Sequence, residues 1–304
     1  MTRSNHRIAV RRTRYRRTAT VLALGVFVTA GATGTASAQP FGHETALGGQ
    51  EYVALGDSGA ATTGVQFFDP DAPLACAQST RNTPKLVARK LGLRLDDRTC
   101  SSAEIGDLTG RQFGFIPPQF DALGPDTRLV TVHIGANDAA TWKSHLACMI
   151  APGSNGTCAA ELDNWQARTE AIGPEFGAAL SEIHSRAPQA RIYVDGWTTY
   201  VRDTGCAAAL LTPAGATNIQ QRYDLLNDVV RREAERAGAT YIDTRTPGIG
   251  HDSCAGDQRW IEPAIPGDTL VPFHPTLSGM EAIADIIVAA VKATTPSSTG
   301  QPAG

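Results

Sequence analysis

Apolar and polar positions along the chain fall into alternating blocks. Five short apolar runs stand out: Tyr52–Leu55, Leu95–Thr99, Leu129–Ile134, Ile192–Val194 and Tyr241–Ile242. Several are continuous and β-branched, the pattern of strands covered on both faces. Between them apolar residues recur at helical spacing. Thr83 as cap and Pro84 at the first helical position predict a helix over Pro84–Leu91. Ile219, Tyr223, Leu226 and Val230 mark one face of a second helix. Met280, Ile283, Ile287 and Val291 mark a third, opened by a capping box at Ser278-Gly279-Met280-Glu281. Strand–helix alternation predicts an α/β fold: a flavodoxin-like three-layer sandwich, with a parallel five-stranded sheet and helices on both faces. No repeat or internal linker interrupts the pattern, so residues 39–293 are predicted to form one domain.

The first 38 residues follow a different pattern. Arg3, Arg7, Arg11, Arg12, Arg14, Arg16 and Arg17 form a basic leader without an acid, followed by an apolar run from Val21 to Ala30 and by Ala36-Ser37-Ala38. This is the pattern of a secretory signal peptide with a small-residue cleavage site. The apolar run is shorter than the roughly 20 residues a membrane span needs. No later segment is long enough either, so no transmembrane segment is expected. The pairs Arg11-Arg12 and Arg16-Arg17 suit twin-arginine (Tat) export, and Sec export fits as well. The leader holds seven of the 27 basic residues and none of the 30 acidic ones. The remainder is therefore acidic, which argues against a nucleic-acid partner. Residues 294–304, rich in Thr, Ser, Pro and Gly, are predicted to be a disordered tail.

Export changes how the cysteines are read. Cys76, Cys100, Cys148, Cys158, Cys206 and Cys254 make an even set, and in an exported chain this implies three disulfides. Nearest neighbours would pair Cys76–Cys100, Cys148–Cys158 and Cys206–Cys254, but the sequence leaves other pairings open. There is no C-x-x-C or H-E-x-x-H spacing, so neither a metal nor another cofactor is expected.

A parallel sheet binds its ligands outside the carboxyl ends of its strands. Asp57 and Ser58 follow the first strand directly, and Gly135-Ala136-Asn137-Asp138 follows the third. A serine hydroxyl becomes a nucleophile only with a base in reach and donors for the oxyanion. Six histidines lie beyond the leader. His133 falls inside a strand and reads as structural; His184 reads as a polar helix face, and His43 precedes the fold. His145 and His251 read as solvated loop residues near cysteines. His274 stands just ahead of the last helix, and Pro275 restricts its backbone to extended conformations. Asn137 has a side-chain amide able to donate to an oxyanion, although Asn-Asp after Gly is also ordinary turn chemistry. Asp57 is expected to bond loop backbone rather than move protons.

Taken together, "YVALGDS" (Tyr52–Ser58), "PPQFDALGPDTRLVTVHIGAND" (Pro117–Asp138) and "FHPTLSGM" (Phe273–Met280) resemble the SGNH (GDSL-type) hydrolases, most closely the secreted actinobacterial lipases and esterases with three disulfides. The resemblance implies Ser58 as nucleophile and His274 as general base. It implies an oxyanion hole made by Asn137 and by the backbone N–H groups of Ser58 and Ser102. Ser102 stands where the family's second block carries glycine, and serine would be strained if the position requires positive φ. Val271 stands where many members carry the triad aspartate. Its main-chain carbonyl is expected to orient His274, with Asp268 as the alternative. The family places a bulky residue after the serine, whereas here Gly59, Ala60 and Ala61 follow. These small residues either open the floor of the site or have their bulk supplied by Phe67, Phe68 or Phe115. Trp142, Met149, Ile150, Trp165, Leu210 and Leu211 are either an acyl groove or packed core. The expected activity is that of a monomeric carboxylester hydrolase acting on small-molecule or lipid esters. The alternatives are a carbohydrate O-deacetylase and a non-catalytic binding protein on a decayed hydrolase fold.

Overall fold

A computed structural model of the chain describes residues 51–61, 67–149, 158, 164–267 and 269–294. The leader, His43, Ile150, Asp268 and the tail beyond Thr294 lie outside these residues. Five parallel strands, β1 (Tyr52–Gly56), β2 (Leu95–Asp97), β3 (Leu129–His133), β4 (Arg191–Asp195) and β5 (Thr240–Ile242), form one sheet in the order β2-β1-β3-β4-β5. β2 ends two residues earlier than its apolar run. The Asp97 carboxylate accepts from both N–H and Oγ1 of Thr99 (3.1 and 2.6 Å), a local turn that competes with the ladder.

The pleat divides the core between two faces. Tyr52 and Ala54 of β1 pack with α2 (Thr83–Leu91) and α6 (Leu277–Ala293). Val53 and Leu55 face the opposite way, into a core shared with α4 (Trp165–Arg186) and α5 (Pro213–Arg236). The periodic apolar stripes of α2, α5 and α6 supply these contacts, so the three expected helices form. Both expected caps shift towards the N-terminus. Asn82, not Thr83, accepts from the Lys85 N–H (3.1 Å). Thr276, not Ser278, accepts from the Gly279 N–H (3.0 Å), because the Ser278 hydroxyl is turned towards the Arg259 carbonyl. α4 was not legible in the pattern, because Gly173, Pro174 and Gly177 interrupt its apolar face. The two glycines lie where a Cβ would come within 3.2 Å of the Glu233 carboxylate of α5, so α4 packs close against its neighbour.

The disulfides are Cys76–Cys100, Cys148–Cys158 and Cys206–Cys254, with no free cysteine among the described residues. No helix of the described residues is long and apolar enough to cross a membrane. The strand order reverses direction between β1 and β3, and a crevice opens at the carboxyl ends of such a pair.

Candidate active site

β1 and β3 deliver their following loops to the same edge. The Asp57 N–H donates to the His133 carbonyl (2.9 Å), and the Cys100 N–H to the Gly56 carbonyl (3.0 Å), so three loops meet there. Ser58 opens a one-turn helix, α1 (Ser58–Ala61). Gln119, which is buried, clamps the turn from below: its amide exchanges two hydrogen bonds with the Gly56 backbone (2.8 and 2.9 Å).

His274 reaches this turn from the loop before α6. Its Nε2 lies 2.8 Å from Ser58 Oγ, and its Nδ1 lies 2.9 Å from the Pro272 carbonyl oxygen. A carbonyl accepts only, so Nδ1 carries the proton and Nε2 is the bare acceptor of the Ser58 hydroxyl. The orienting carbonyl therefore belongs to Pro272 and not to Val271. Phe273 adopts φ 58°, which reverses the chain just before the histidine and turns the nearer carbonyl under the ring. The Val271 carbonyl instead accepts from the Thr269 hydroxyl (3.3 Å). Burial pushes the His274 imidazole below the ordinary histidine range. The Pro272 contact opposes this, and the neighbouring His133 adds to it.

The Asn137 side-chain amide donates one hydrogen to the Ala103 carbonyl (2.9 Å), which leaves its second hydrogen for another acceptor. That contact brings Asn137 beside Ser102. Ser102 has φ 64°, the left-handed backbone that strains serine, and its N–H finds no partner among the described residues. The Asp138 carboxylate accepts from the Ile105 N–H (3.1 and 3.3 Å) and ties the same two loops together. Burial pushes Asp138 up to about 6 against that hydrogen bond. Asp57 bonds backbone as expected, accepting from the Gly59 N–H (2.8 Å).

Several residues read differently from the sequence turn out to matter. His145 is not a solvated loop residue. It is buried in α3 (Thr141–Cys148), stacks on Phe273 at 3.9 Å, and burial pushes it down to about 3. Phe67, Phe68 and Phe115 do not supply bulk below the nucleophile turn; they are 64%, 49% and 62% exposed. The floor is not open either. A Cβ at Gly59 would lie 2.5 Å from His133 Nε2. Of the residues considered for an acyl groove, Trp142 is exposed and Leu211 is buried, while Met149, Trp165 and Leu210 are intermediate. Glu262, fully buried, has no sequence signal. It accepts from the backbone N–H groups of Gly267 (3.0 Å) and Thr269 (2.9 Å) and so organises the loop that carries His274. Asp195 did have a positional signal: like Asp57 and Asn137, it stands at the carboxyl end of a strand.

A hydroxyl bonded to a neutral imidazole at the switch point of a parallel sheet, with amide donors alongside, suits acyl transfer; the class so defined is that of α/β ester hydrolases. Residues 54–282 match the GDSL-like Lipase/Acylhydrolase family. The chain belongs to that family and is a carboxylester hydrolase. Lipase 2 of Streptomyces coelicolor is 38% identical over 283 residues, covering 88% of this chain and 94% of that one. The crystal structure of the extracellular lipase of Streptomyces rimosus superposes with a TM-score of 0.68 at 26% identity, covering 81% of this chain and all of the other. Phospholipase A1 of Streptomyces albidoflavus gives a TM-score of 0.64 at 27% identity, covering 80% and 99%.

Proposed function

We propose that the protein is a secreted lipase in which Ser58 is the nucleophile and His274 the general base. The observation that carries this reading is the 2.8 Å contact between Ser58 Oγ and His274 Nε2. Ser58 Oγ attacks the ester carbonyl as its proton passes to Nε2. The second amide hydrogen of Asn137 and the N–H groups of Ser58 and Ser102 hold the tetrahedral oxyanion. His274 then gives its proton to the departing alcohol, and an acyl-enzyme remains. Water activated by the same imidazole releases the acid. The Pro272 carbonyl fixes the tautomer and ring position without the charge a carboxylate would bring.

The substrate class is a lipid ester of medium or long acyl chain. The relatives named as lipases and a phospholipase support it. Residues 1–38 are removed on export by the Tat or Sec route, the disulfides form outside the cell, and the enzyme acts as a monomer. The test is hydrolysis of p-nitrophenyl esters of graded chain length beside acetylated xylan, with Ser58→Ala as the blank. Preference for the longer chains is expected. Activity on acetyl esters alone would assign a deacetylase instead, and undiminished turnover by Ser58→Ala would remove Ser58 from the chemistry.

A further inference from the structure

Beneath the nucleophile turn lies a charged cluster that the hydrolysis itself does not use. His133, the last residue of β3, and Asp195, the last of β4, are both buried. His133 Nδ1 lies 2.9 Å from Asp195 Oδ2 and 3.1 Å from the Asp195 carbonyl oxygen, and Trp197 packs against the ring at 4.6 Å. The other edge of the imidazole meets Gly59. A Cβ there would lie 2.5 Å from Nε2 and 2.8 Å from Cδ2 of His133, and 3.2 Å from Asp57 Oδ1. Real Cβ atoms essentially never show the two distances to His133. The cavity that Gly59 and His133 line together has about 20 Å³, room for little more than one water.

We propose that His133 is a positioning residue for the hydrolysis: held by Asp195, its ring is the floor against which the Ser58 turn is fixed, and Gly59 is the residue that this floor requires. The imidazole takes the space that a bulky residue after the serine would fill. Its charge acts as well as its shape. Burial alone would lower the His133 pKa, but the Asp195 carboxylate and then Asp57 outweigh it and hold it up at about 9. The resulting imidazolium faces Asp57, whose Oδ1 holds the Gly59 N–H and whose buried Oδ2 has no hydrogen-bond partner among the described residues. Burial pushes the Asp57 carboxyl up, and the His133 cation pulls it back down. The groups around the ring are Asp195 from β4, Asp57 from the nucleophile turn and His274 from the loop before α6. Tyr52 and Thr131, which line the same cavity, are neutral and bonded to each other. The imidazolium opposes a second positive charge on His274 and so keeps the base free at lower pH.

The inference rests on Ser58 and His274 being the reacting pair, and Ser58→Ala tests that separately. The experiment measures kcat and KM on a soluble p-nitrophenyl ester across the pH range for wild type, His133→Gln, Gly59→Ala, His133→Ala and Gly59→Ala/His133→Ala. His133→Gln is expected to lower kcat by about tenfold or more with KM nearly unchanged. It should also move the acidic midpoint of kcat/KM upward. Gly59→Ala should lower kcat by about a hundredfold in the wild-type background. In the His133→Ala background its cost should nearly vanish, because the colliding ring is gone. If His133→Gln lowers only the melting temperature and leaves kcat and the acidic midpoint in place, the cluster is structural and the proposal fails. Equal effects of Gly59→Ala in both backgrounds overturn it too. Should the His133 variants not fold, Gly59→Ala alone decides, since full kcat there means the ring is no floor. Turnover surviving in Ser58→Ala would sink the reacting pair. Turnover lost there but untouched in the His133 and Gly59 variants sinks only the floor.

Discussion

In the proposed mechanism the Ser58 hydroxyl owes its reactivity to the direction of one hydrogen bond. His274 can accept from it because the Pro272 carbonyl occupies the opposite ring nitrogen. Burial holds the His274 pKa down. The acidic midpoint of kcat/KM should therefore fall below the free-histidine value of about 6.5, a point that a pH–rate profile checks. On the proposed mechanism Asn137→Ala removes one oxyanion donor, and it should lower kcat by about 10²–10³-fold without unfolding the protein, as kinetics and circular dichroism together would show. Ser102, whose proposed part is played by its backbone N–H, holds φ 64°. Ser102→Gly should keep kcat within about threefold and stability within about 1 kcal/mol. Ser102→Val should lower both, because a β-branched residue resists φ 64°. A Ser102→Val protein with wild-type melting temperature would show that this backbone can relax. Ser58, Asn137 and His274 were legible because each sits where a strand ends or a helix begins, among recognisable neighbours. The Pro272 carbonyl was not, because the one-residue shift depends on the φ of Phe273.

At the scale of elements, the site is a meeting of loops, and buried crosslinks hold each loop. Glu262 gathers two backbone N–H groups and the Arg259 guanidinium, at 3.4 Å, around one fully buried carboxylate. Glu262→Ala takes the acceptor from the Gly267 and Thr269 N–H groups and should cost about 3 kcal/mol in urea unfolding. It should also lower kcat more than it changes KM, since the loop it organises carries His274. The Cys76–Cys100 bridge joins the segment after α1 to the loop that bears Ser102, and the Ser101 N–H donates to the Cys76 carbonyl across it (3.0 Å). Replacing both cysteines with serine should cost roughly 2–4 kcal/mol, measured under the same conditions. Thr83 and Pro84 made α2 visible and apolar periodicity made α5 and α6 visible, whereas the α4 interruption hid that helix. Glu262 lies in a stretch with no periodicity, and nothing in its neighbours marks a glutamate for burial.

For the whole molecule, the buried histidines set a pH window of stability. Burial depresses His145 to about 3, so its contribution is complete above the unfolded value of about 6.5 and is lost as pH falls towards 3. His133 is raised to about 9, so its contribution is complete below about 6.5 and is lost as pH rises through 9. Urea unfolding across pH should show stability falling on both sides. His145→Phe should flatten the acidic side while leaving the alkaline side intact; an unchanged acidic slope would remove His145 from this account.

The sequence by itself determined the sheet, three of its helices, the strand-end position of Ser58 and Asn137, and the place of His274. Apolar period and turn chemistry are local, and they can be read without knowing what folds against what. Tertiary structure alone decided which carbonyl orients His274, that His145 is buried, that Glu262 gathers a loop, and that His133 fills the space over Gly59. Each of these depends on which distant groups come into contact when the sheet closes, and contacts between remote segments leave no periodic trace along the chain.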